Sequence, residues 1–533
     1  MNSIASQNLQ PTLQSLLKQG FFALSKHQFD TASEICQKIL TLKPDLVPGH
    51  FLVGLVGLAS KNKRIAFSAF QSVVKLDNDH VAAWANLAKL YMDEGKVNLA
   101  DQALQHTRRI KTEDPLVLDL IGTTLSMMGE HGLAKMFFSK ANAIKPNHPL
   151  FMGNLANCLI FHGETAAAEA LLRDIIKLRA NSAQAHWSIS KSIKAQDKNH
   201  IDEMQMMLAN NENSNNNALA FYQYAIGKEY EDLQQWPQAF AAFEQGAKAK
   251  REANNFDEQA EIKSFQCLID NYNEEWLEQG HTGNPTTAPI FVLGQPRTGT
   301  TLIERIITAH SDVHSAGELQ QFGLALRRLS RTTSKQRFSP ELLLAAKDLD
   351  MTKVANMYLQ STKRMQGDTP RFVDKLPQNY LLIPLILKAF PNAKIVHLVR
   401  NPMDACFASY KQLFADAYLH SYDQEEMARH HVRYLKLMQV WRERFPGRFF
   451  DISYEQTARN LEPNARALIE FLGLPWQDNC LNFHQQDSAV TTASAVQVRE
   501  PAHTRSIGRW RKYEQHLQPM LATLQEHAID ITE

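Results

Sequence analysis

Apolar residues recur along roughly the first half of the chain at the spacing of amphipathic helices. From about residue 13 to residue 250 the chain is rich in Ala and Leu, and its apolar positions predict a series of helices. The pattern repeats with a period of roughly 34 residues, as in Ala32, Ala66, Ala100, Ala134 and Ala168. A period of this length predicts stacked helical hairpins, in which small residues let the two helices approach closely.

The hydrophobic pattern changes after a polar, turn-rich stretch, HTGNPTTAP. Short apolar runs then alternate with helical segments, which is typical of an α/β sheet. The predicted strands cover residues 290–293, 371–373, 395–399 and 449–453. We therefore predict a multidomain chain: an all-α solenoid over residues 10–250, a connector over 251–287, and an α/β domain with a central parallel sheet over 288–533.

The most informative stretch is APIFVLGQPRTGTTLI, residues 288–303. It predicts a buried strand, a tight loop and the first turn of a helix, whose N-terminus favours an anion. Gly294 and Gly299 stand at the glycine positions of a G-x-x-x-x-G-K-[ST] phosphate loop and Thr301 at its hydroxyl position, but Thr300 replaces the lysine. The loop is thus predicted to bind phosphate, with Arg297 as its cation, and is poorly suited to a triphosphate with magnesium.

Charged side chains are expected together near this loop. Ligands of open parallel sheets bind at the carboxyl ends of strands, and Asp374 and Lys375 follow the second predicted strand. Arg400 follows the third strand and Tyr454 the fourth. Cations from different strands are therefore predicted to converge on one edge of the sheet beside the phosphate loop.

Composition narrows the class of protein. The chain has 533 residues and a formal net charge of +1, which indicates several domains and argues against a general nucleic-acid binder. Its five cysteines are widely spaced, so a reducing compartment is favoured over a disulfide framework. The N-terminus lacks a secretory signal pattern, and no apolar run reaches membrane-spanning length. These features predict a soluble, cytoplasmic protein without a membrane span.

Two motifs resemble a known family. PRTGTTL and RNPMDACFAS, each after a predicted strand, resemble the two nucleotide-binding signatures of sulfotransferases that use PAPS (3′-phosphoadenosine 5′-phosphosulfate). VDKLP, ISYE and the closing QVREP and SIGRW segments are similar to those of bacterial relatives of protein-tyrosine sulfotransferases, and the first half resembles tetratricopeptide repeat proteins. The resemblance implies a P-loop-like domain that transfers a sulfuryl group from PAPS to an acceptor hydroxyl, with a protein or peptide tyrosine as one candidate. A singly charged sulfuryl group needs no divalent metal, so no metal is expected.

The resemblance also implies roles for individual residues. The expected nucleotide-binding residues are Arg297, Thr298, Gly299, Thr300, Thr301, Arg400 for the 3′-phosphate, Ser409 and Tyr454. The expected catalytic residues are Glu318 as general base, Lys375 at the bridging oxygen between sulfate and phosphate, Arg297 as counter-charge and Ser494 as an assisting serine. His310 and His314 are competing bases. The family usually has its 3′-phosphate serine where this chain has Ala408, and a one-residue slip on a helix turns a side chain by about 100°.

Several alternatives stay open. A metal-dependent kinase or NTPase would use Asp374 as a magnesium ligand, and a non-catalytic adaptor would use the repeats alone. The repeats are expected to recruit a protein or peptide acceptor, but they could instead bind another partner or form a homodimer. The basic residues near the C-terminus could close over the nucleotide or lie on the surface; they are Arg499, Arg505, Arg509 and Lys512.

Overall fold

The structure is a computed structural model that describes residues 2–210, 215–280, 283–332, 334, 338–414, 417–486, 488–490 and 497–532, with only the backbone described at 2–9, 108 and 109. The chain divides into two compact units, Met1–Pro146 and Asn147–Glu533. Ser494 lies outside the described residues.

The first unit is built from consecutive helices that pack in pairs. The helices are α1 Asn2–Ser25, α2 Phe29–Leu42, α3 Val47–Ala59, α4 Lys63–Leu76, α5 Val81–Asp93, α6 Val97–Arg109, α7 Pro115–Met127 and α8 His131–Ile144. Each pair turns at a residue with positive φ, and these turns keep the predicted period at His27 (58°), Lys61 (59°), Gly95 (69°) and Gly129 (83°). The predicted helical repeats are confirmed.

The two helices of a pair approach closely because a glycine faces a phenylalanine. A Cβ atom at Gly54 would lie 2.4 Å from the Phe70 ring, and one at Gly122 would lie 2.8 Å from the Phe138 ring. Real Cβ atoms do not approach a ring this closely, so each glycine leaves the space that the partner ring fills. Any larger residue at these glycines would force the helices apart.

The second unit begins with further helices and then forms the sheet. The helices before the sheet are α9 Pro149–Phe161, α10 Thr165–Leu178, α11 Ala183–Ser192, α12 Asn199–Ala209, α13 Asn216–Asp232, α14 Trp236–Glu252, α15 Glu258–Asn271 and α16 Glu274–Glu278. The pairing of a glycine with a phenylalanine continues here, because a Cβ atom at Gly227 would lie 2.6 Å from the Phe243 ring. Helices α15 and α16 occupy the stretch predicted as a connector, and Phe265 and Trp276 are buried in one core with Phe291 of the sheet.

The described residues form a five-stranded sheet in the order β2-β3-β1-β4-β5. The strands are β1 Pro289–Gly294, β2 Val313–Ser315, β3 Arg371–Lys375, β4 Lys394–Val399 and β5 Phe450–Ser453. Every neighbouring pair is parallel, so the predicted parallel sheet is confirmed. Strand β2 was not predicted. Asp374 and Lys375 are the last residues of β3, so the prediction that they follow the strand was wrong.

Helices cover both faces of the sheet. They are α17 Thr300–Thr308, α18 Gln321–Ser330, α19 Pro340–Lys347, α20 Met351–Thr362, α21 Ile383–Ala389, α22 Pro402–Tyr410, α23 Gln424–Arg444, α24 Tyr454–Arg459, α25 Leu461–Phe471 and α26 Gln518–Glu526. Short 3₁₀ helices cover Pro377–Leu382, Leu419–Tyr422, Asp478–Gln485, Gln497–Arg499 and Arg509–His516. On one face Ile303 and Ile307 of α17 pack with Val292 and Val373. On the opposite face Phe291 and Phe372 pack with helices that include α20 and α23.

Among the helices of the described residues, none combines the length and the apolar character that a membrane crossing requires.

Candidate active site

The turn between β1 and α17 has the backbone of an anion-binding loop. Arg297 has φ 63° and Gly299 has φ 104°, so the chain reverses sharply before the helix starts. No side chain caps the N-terminus of α17, and the first N–H groups of any α-helix lack partners within the helix. Thr298 stiffens the turn, since its hydroxyl donates a 2.7 Å hydrogen bond to the carbonyl of Gln295. The turn therefore presents backbone donors and a positive helix end to an anion.

Tyr454 and Arg400 flank this turn. A Cβ atom at Gly299 would lie 2.6 Å from the Tyr454 ring, so the glycine is needed where the tyrosine packs. The guanidinium carbon of Arg400 lies 4.7 Å from the centre of the same ring. Its Nη1 donates to the carbonyl of Arg297 and its Nη2 to the carbonyl of Ser506, both at 2.6 Å. Its buried Nε has no hydrogen-bond partner among the described residues, which leaves a donor for a ligand.

Ser409 contacts the turn from α22. The Ser409 hydroxyl is buried and donates a 3.2 Å hydrogen bond to the carbonyl of Pro296. Ala408, the position at which the family usually has the serine, is only half-buried. The one-residue shift thus places a hydroxyl against the backbone of the loop. Its contact with a 3′-phosphate stays a prediction.

Lys375 and Glu318 form an ion pair at the end of β3. The Lys375 side chain is 1% exposed, whereas that of Glu318 is 43% exposed. The backbone explains the encounter, because Ala316 N–H donates to the Val373 carbonyl at 2.9 Å and Lys375 N–H donates to the Gly317 carbonyl at 3.0 Å. The segment after the unpredicted strand β2 therefore continues beside β3 and brings Glu318 to Lys375.

Glu304 is a buried carboxylate beside this pair that the sequence analysis missed. It lies on α17 with 5% of its surface exposed, and it accepts a 2.7 Å hydrogen bond from the Ser315 hydroxyl. Burial raises the pKa of the Glu304 carboxyl, and the charge of Lys375 opposes that rise. The sequence does carry a sign of this buried carboxylate, because Glu304 interrupts the apolar face of α17 in TLIERIIT.

Asp374 lies on the other face of the sheet. Neighbouring residues of a strand point to opposite faces, and the Asp374 carboxylate accepts a 2.9 Å hydrogen bond from the Tyr358 hydroxyl within the core. Burial raises the pKa of Asp374 to about 7, although the Tyr358 hydrogen bond opposes the rise. This residue therefore faces away from Thr301, with which it would have to share a magnesium ion in an NTPase.

The two histidines that compete with Glu318 have other contacts. His310 Nε2 lies 2.8 Å from the carbonyl of Pro475, and its Nδ1 accepts a 3.1 Å hydrogen bond from the N–H of Asp312. Both nitrogens are thus engaged in local structure. His314 is exposed and packs against Gly367.

The C-terminal segment is fastened beside Arg400. Asp404 of α22 accepts hydrogen bonds from the N–H groups of Gly508 at 2.6 Å and Trp510 at 3.2 Å. Both residues closely follow Ser506, whose carbonyl Arg400 contacts. Burial raises the pKa of Asp404, and Arg400 opposes the rise. Three of the C-terminal cations contact protein groups: Arg499 donates to the Phe161 carbonyl, Arg505 pairs with Glu500 and Arg509 pairs with Glu231.

Glu231 anchors the same segment to helix α13. Its carboxylate lies 2.7 Å from Lys411 Nζ, 3.1 Å from Arg509 Nε and 2.9 Å from the Tyr513 hydroxyl. Burial alone would raise the pKa of this carboxyl, but the nearby cations lower the pKa to about 2. The carboxylate is therefore charged at neutral pH, and it binds Lys411, which follows α22, together with groups of the C-terminal segment.

The donors at this edge suit a ligand with separated anionic groups. The start of α17 and the buried Lys375 ammonium offer positive charge at one end, and Arg400 offers it at the other. Arg297 lies between these ends, and its guanidinium donates a 3.1 Å hydrogen bond to Gln497. Burial and the charge of Arg400 lower the pKa of Arg297 to about 10, so it stays a cation at neutral pH. This arrangement suits a ligand that carries two separated anionic groups.

Comparisons with known proteins match both halves of the chain. Residues 289–478 match the Sulfotransferase family, and residues 58–122 and 125–208 match the Tetratricopeptide repeat. An uncharacterized protein of Aquifex aeolicus is 30% identical over 392 residues, which cover 72% of this chain and 51% of that protein. A protein-tyrosine sulfotransferase of Drosophila melanogaster is 25% identical over 262 residues, 47% of this chain and 52% of that protein. The chain thus spans about half the length of both relatives.

Among solved structures, the sulfotransferase domain of the Synechococcus PCC 7002 olefin synthase is similar to 48% of this chain, with 21% identity and a TM-score of 0.33. The match covers 100% of that domain.

Proposed function

The chain carries tetratricopeptide repeats followed by a domain of the sulfotransferase family, and from this premise we propose that it transfers a sulfuryl group from PAPS to the hydroxyl of a protein or peptide tyrosine. The observation that carries the proposal is the ion pair between the buried Lys375 and the exposed Glu318, near the turn of residues 295–299. The name of the Drosophila relative supports tyrosine as the acceptor.

Glu318 and Lys375 have complementary tasks in this reaction. PAPS supplies the sulfuryl group and leaves as adenosine 3′,5′-bisphosphate. The exposed Glu318 carboxylate accepts the proton of the attacking hydroxyl, as a general base must do from a position that the acceptor can reach. The Lys375 ammonium is held in a water-poor position, where a fixed positive charge stabilises a developing negative charge most strongly. An anion at Lys375 would compete for the ammonium and release Glu318 to act as the base.

The residues on the β4 side of the turn bind PAPS, the sulfuryl donor. Arg400 stacks on Tyr454 and is fixed by two carbonyl oxygens, so its remaining donor is oriented before a ligand arrives. A guanidinium in a fixed orientation is the preferred side chain for phosphate. We assign the 3′-phosphate to Arg400 with Ser409 beside it, and the 5′ group to the start of α17 with Thr298, Gly299, Thr300, Thr301 and Arg297. Tyr454 then lines the nucleotide.

The experiment that tests the proposal combines binding and transfer. Calorimetry with adenosine 3′,5′-bisphosphate is expected to show binding, and [³⁵S]PAPS with a tyrosine peptide is expected to give labelled peptide. The matched peptide with Phe in place of Tyr should stay unlabelled. Absence of nucleotide binding would refute a PAPS enzyme. Binding together with label on a small phenol but not on the peptide would refute the peptide acceptor alone.

The repeats are proposed to recruit the acceptor. Solenoids of this kind offer extended surfaces for a polypeptide, and the match to the Tetratricopeptide repeat covers residues on both sides of the unit boundary. A protein acceptor should therefore have a lower KM than a short peptide with the same tyrosine sequence. Equal KM values for the two would argue that the repeats bind something else.

A further inference from the structure

Helices α11, α12 and α13 bring a second group of polar side chains together, away from the sheet. His186 lies on α11 and is fully buried, and His200 and Glu203 lie on α12. The Nδ1 atom of His186 and the Nε2 atom of His200 are 2.9 Å apart. One possible ligand atom from each of His186, His200 and Glu203 lies within 4.8 Å of those of the other two. Two imidazole rings and one carboxylate therefore lie close enough together to share an ion.

The outer nitrogens of both histidines have fixed partners. His200 Nδ1 lies 2.6 Å from the Glu229 carboxylate, and His186 Nε2 lies 2.9 Å from the carbonyl of Ala180. Glu229 is itself held by the Ser190 hydroxyl at 2.5 Å. Metal-binding histidines characteristically use the second nitrogen in this way, bonded to a carboxylate or a backbone carbonyl, which orients the first nitrogen toward the metal.

Tyr222 adds an independent sign of a missing ligand. Its side chain is 1% exposed, and its hydroxyl has no hydrogen-bond partner among the described residues. The Tyr222 ring lies 5.4 Å from the His186 ring. A buried hydroxyl without a partner costs free energy, and a metal-bound water would supply one.

We propose that His186, His200 and Glu203 bind a divalent transition-metal ion, with Zn²⁺ as the ion best suited to two imidazoles and a carboxylate. Tetrahedral geometry with zinc–nitrogen bonds of about 2.0–2.1 Å separates two nitrogens by about 3.3 Å. Opening the present 2.9 Å separation needs a shift of only about 0.4 Å with a small rotation of the rings. Glu203 is 37% exposed and provides the path from solvent. The ion would join α11 and α12 directly, and α13 through Glu229.

A similar cluster in the same unit lacks these properties. Glu261, His420 and His430 also lie within 4.8 Å of one another. Their imidazole rings, however, are stacked at 3.5 Å with planes 11° apart, so the in-plane lone pairs of the two rings do not converge. Arg433 also donates a 2.6 Å hydrogen bond to the Glu261 carboxylate, whereas Arg173 lies 3.7 Å from the Glu203 carboxylate, beyond hydrogen-bond distance. This cluster serves as an internal control.

The test uses the full chain, stripped with a chelator and dialysed against Zn²⁺ or Co²⁺. We expect about one equivalent of zinc per chain by elemental analysis, and cobalt should give the strong visible absorption of a tetrahedral site. His200→Ala and Glu203→Gln should each lower metal affinity at least tenfold, while His420→Ala should retain it. Circular dichroism shows whether each variant is folded. Glu203→Gln changes a partly exposed side chain, so it still tests the site if the His200→Ala variant does not fold.

Other outcomes would overturn the proposal. No zinc uptake and no cobalt spectrum in the folded wild type would leave His186 and His200 as a hydrogen-bonded pair that shares a proton. Metal uptake lost in His420→Ala but kept in Glu203→Gln would assign the ion to the other cluster. None of these measurements depends on sulfuryl transfer, so the two proposals fail separately.

Discussion

The two sides of the turn at residues 295–299 hold their cations in different ways. On the β3 side, Lys375 is buried, and its ion-pair partner is the exposed carboxylate of Glu318. On the β4 side, Arg400 is fixed by the carbonyl groups of Arg297 and Ser506 and by the ring of Tyr454. A solvent-exposed carboxylate can move away from Lys375 and be replaced by another anion, whereas the backbone carbonyls that bind Arg400 are fixed in the chain. The first side is therefore suited to a change of charge during a reaction, and the second to a constant grip on a ligand.

This difference predicts that substitutions on the two sides separate turnover from binding. The largest effect is expected for Glu318→Gln, which keeps the shape of the side chain but removes the proposed general base. The turnover number should fall by about 10²–10⁴-fold, and calorimetry should show unchanged binding of adenosine 3′,5′-bisphosphate. Glu462→Gln, at an exposed carboxylate paired with Arg466, is the control. An equal loss of binding in Glu318→Gln would remove the distinction between the sides.

Lys375→Ala is expected to be nearly as damaging to turnover. The loss of a fixed, buried positive charge should lower the turnover number about 10²–10³-fold, and the Glu318 carboxylate should lose its ion-pair partner. Lys375→Arg keeps the charge and should recover part of the rate. A folded Lys375→Ala variant with wild-type turnover would show that the charge is not used in the transition state.

Arg400→Ala should act mainly on affinity. Hydrogen bonds to charged groups contribute about 1.5–3 kcal/mol, so the Kd for adenosine 3′,5′-bisphosphate should rise about 10–150-fold in calorimetry. Turnover at saturating donor should change less than in either variant of the β3 side. Arg466→Ala on the surface of α25 controls for loss of charge. A turnover defect at saturation larger than the affinity defect would reverse the comparison.

Ser409→Ala should produce a smaller change of the same kind. A neutral hydrogen bond contributes about 0.5–1.5 kcal/mol, which corresponds to a rise in Kd of about 2–10-fold. Ala408→Ser adds a hydroxyl at the half-buried neighbouring position and should not tighten binding. If Ala408→Ser tightened binding and Ser409→Ala left it unchanged, the 3′-phosphate would lie at residue 408.

Asp374→Asn should leave turnover unchanged, because Asp374 points to the face opposite Lys375. Its effect is on stability. The pKa of Asp374 is about 7 in the folded chain, against an ordinary value of 3.8, so the folded state binds the proton more tightly. The stabilisation is complete below about pH 4 and is lost as the pH rises through 7.

Thermal unfolding of wild type and Asp374→Asn at pH 5 and pH 8 measures this effect. The variant should gain stability relative to wild type at pH 8, by up to about 4 kcal/mol at 1.36 kcal/mol per pKa unit. A larger relative gain at pH 5 than at pH 8 would contradict the assignment. A fall in turnover would show that the two faces of β3 are not independent.

The repeats and the central strands were predictable because their signals are local. The period of roughly 34 residues places a small residue on each helix, and the turns at His27 and Lys61 follow the same period. Strand β1 is a buried apolar run. By contrast, β2 has only three residues, Val313–Ser315, with one of them buried. Its position is determined by pairing with β3, which lies more than fifty residues later.

The same distinction applies to the candidate site. The residues of the turn were found because their spacing is fixed within one short motif. Other contacts of the site join residues that are far apart in the sequence and could not be read from a single motif. They are the ion pair of Lys375 with Glu318, the hydrogen bond of Ser315 to the buried Glu304, and the contact of Arg400 with Ser506. The end of β3 was misplaced because charged residues usually mark the end of a strand, whereas this sheet edge buries two of them.

The contacts of the C-terminal segment have a practical consequence for expression. A chain shortened after residue 500, a common way to trim a protein for crystallisation, would remove the carbonyl that orients Arg400 and the N–H groups that satisfy Asp404. It would also leave the buried Glu231 with only Lys411 of its three described partners. Such a fragment would retain residues 289–478, over which the chain matches the sulfotransferase family, yet an assay of it would measure a damaged form of the proposed donor site.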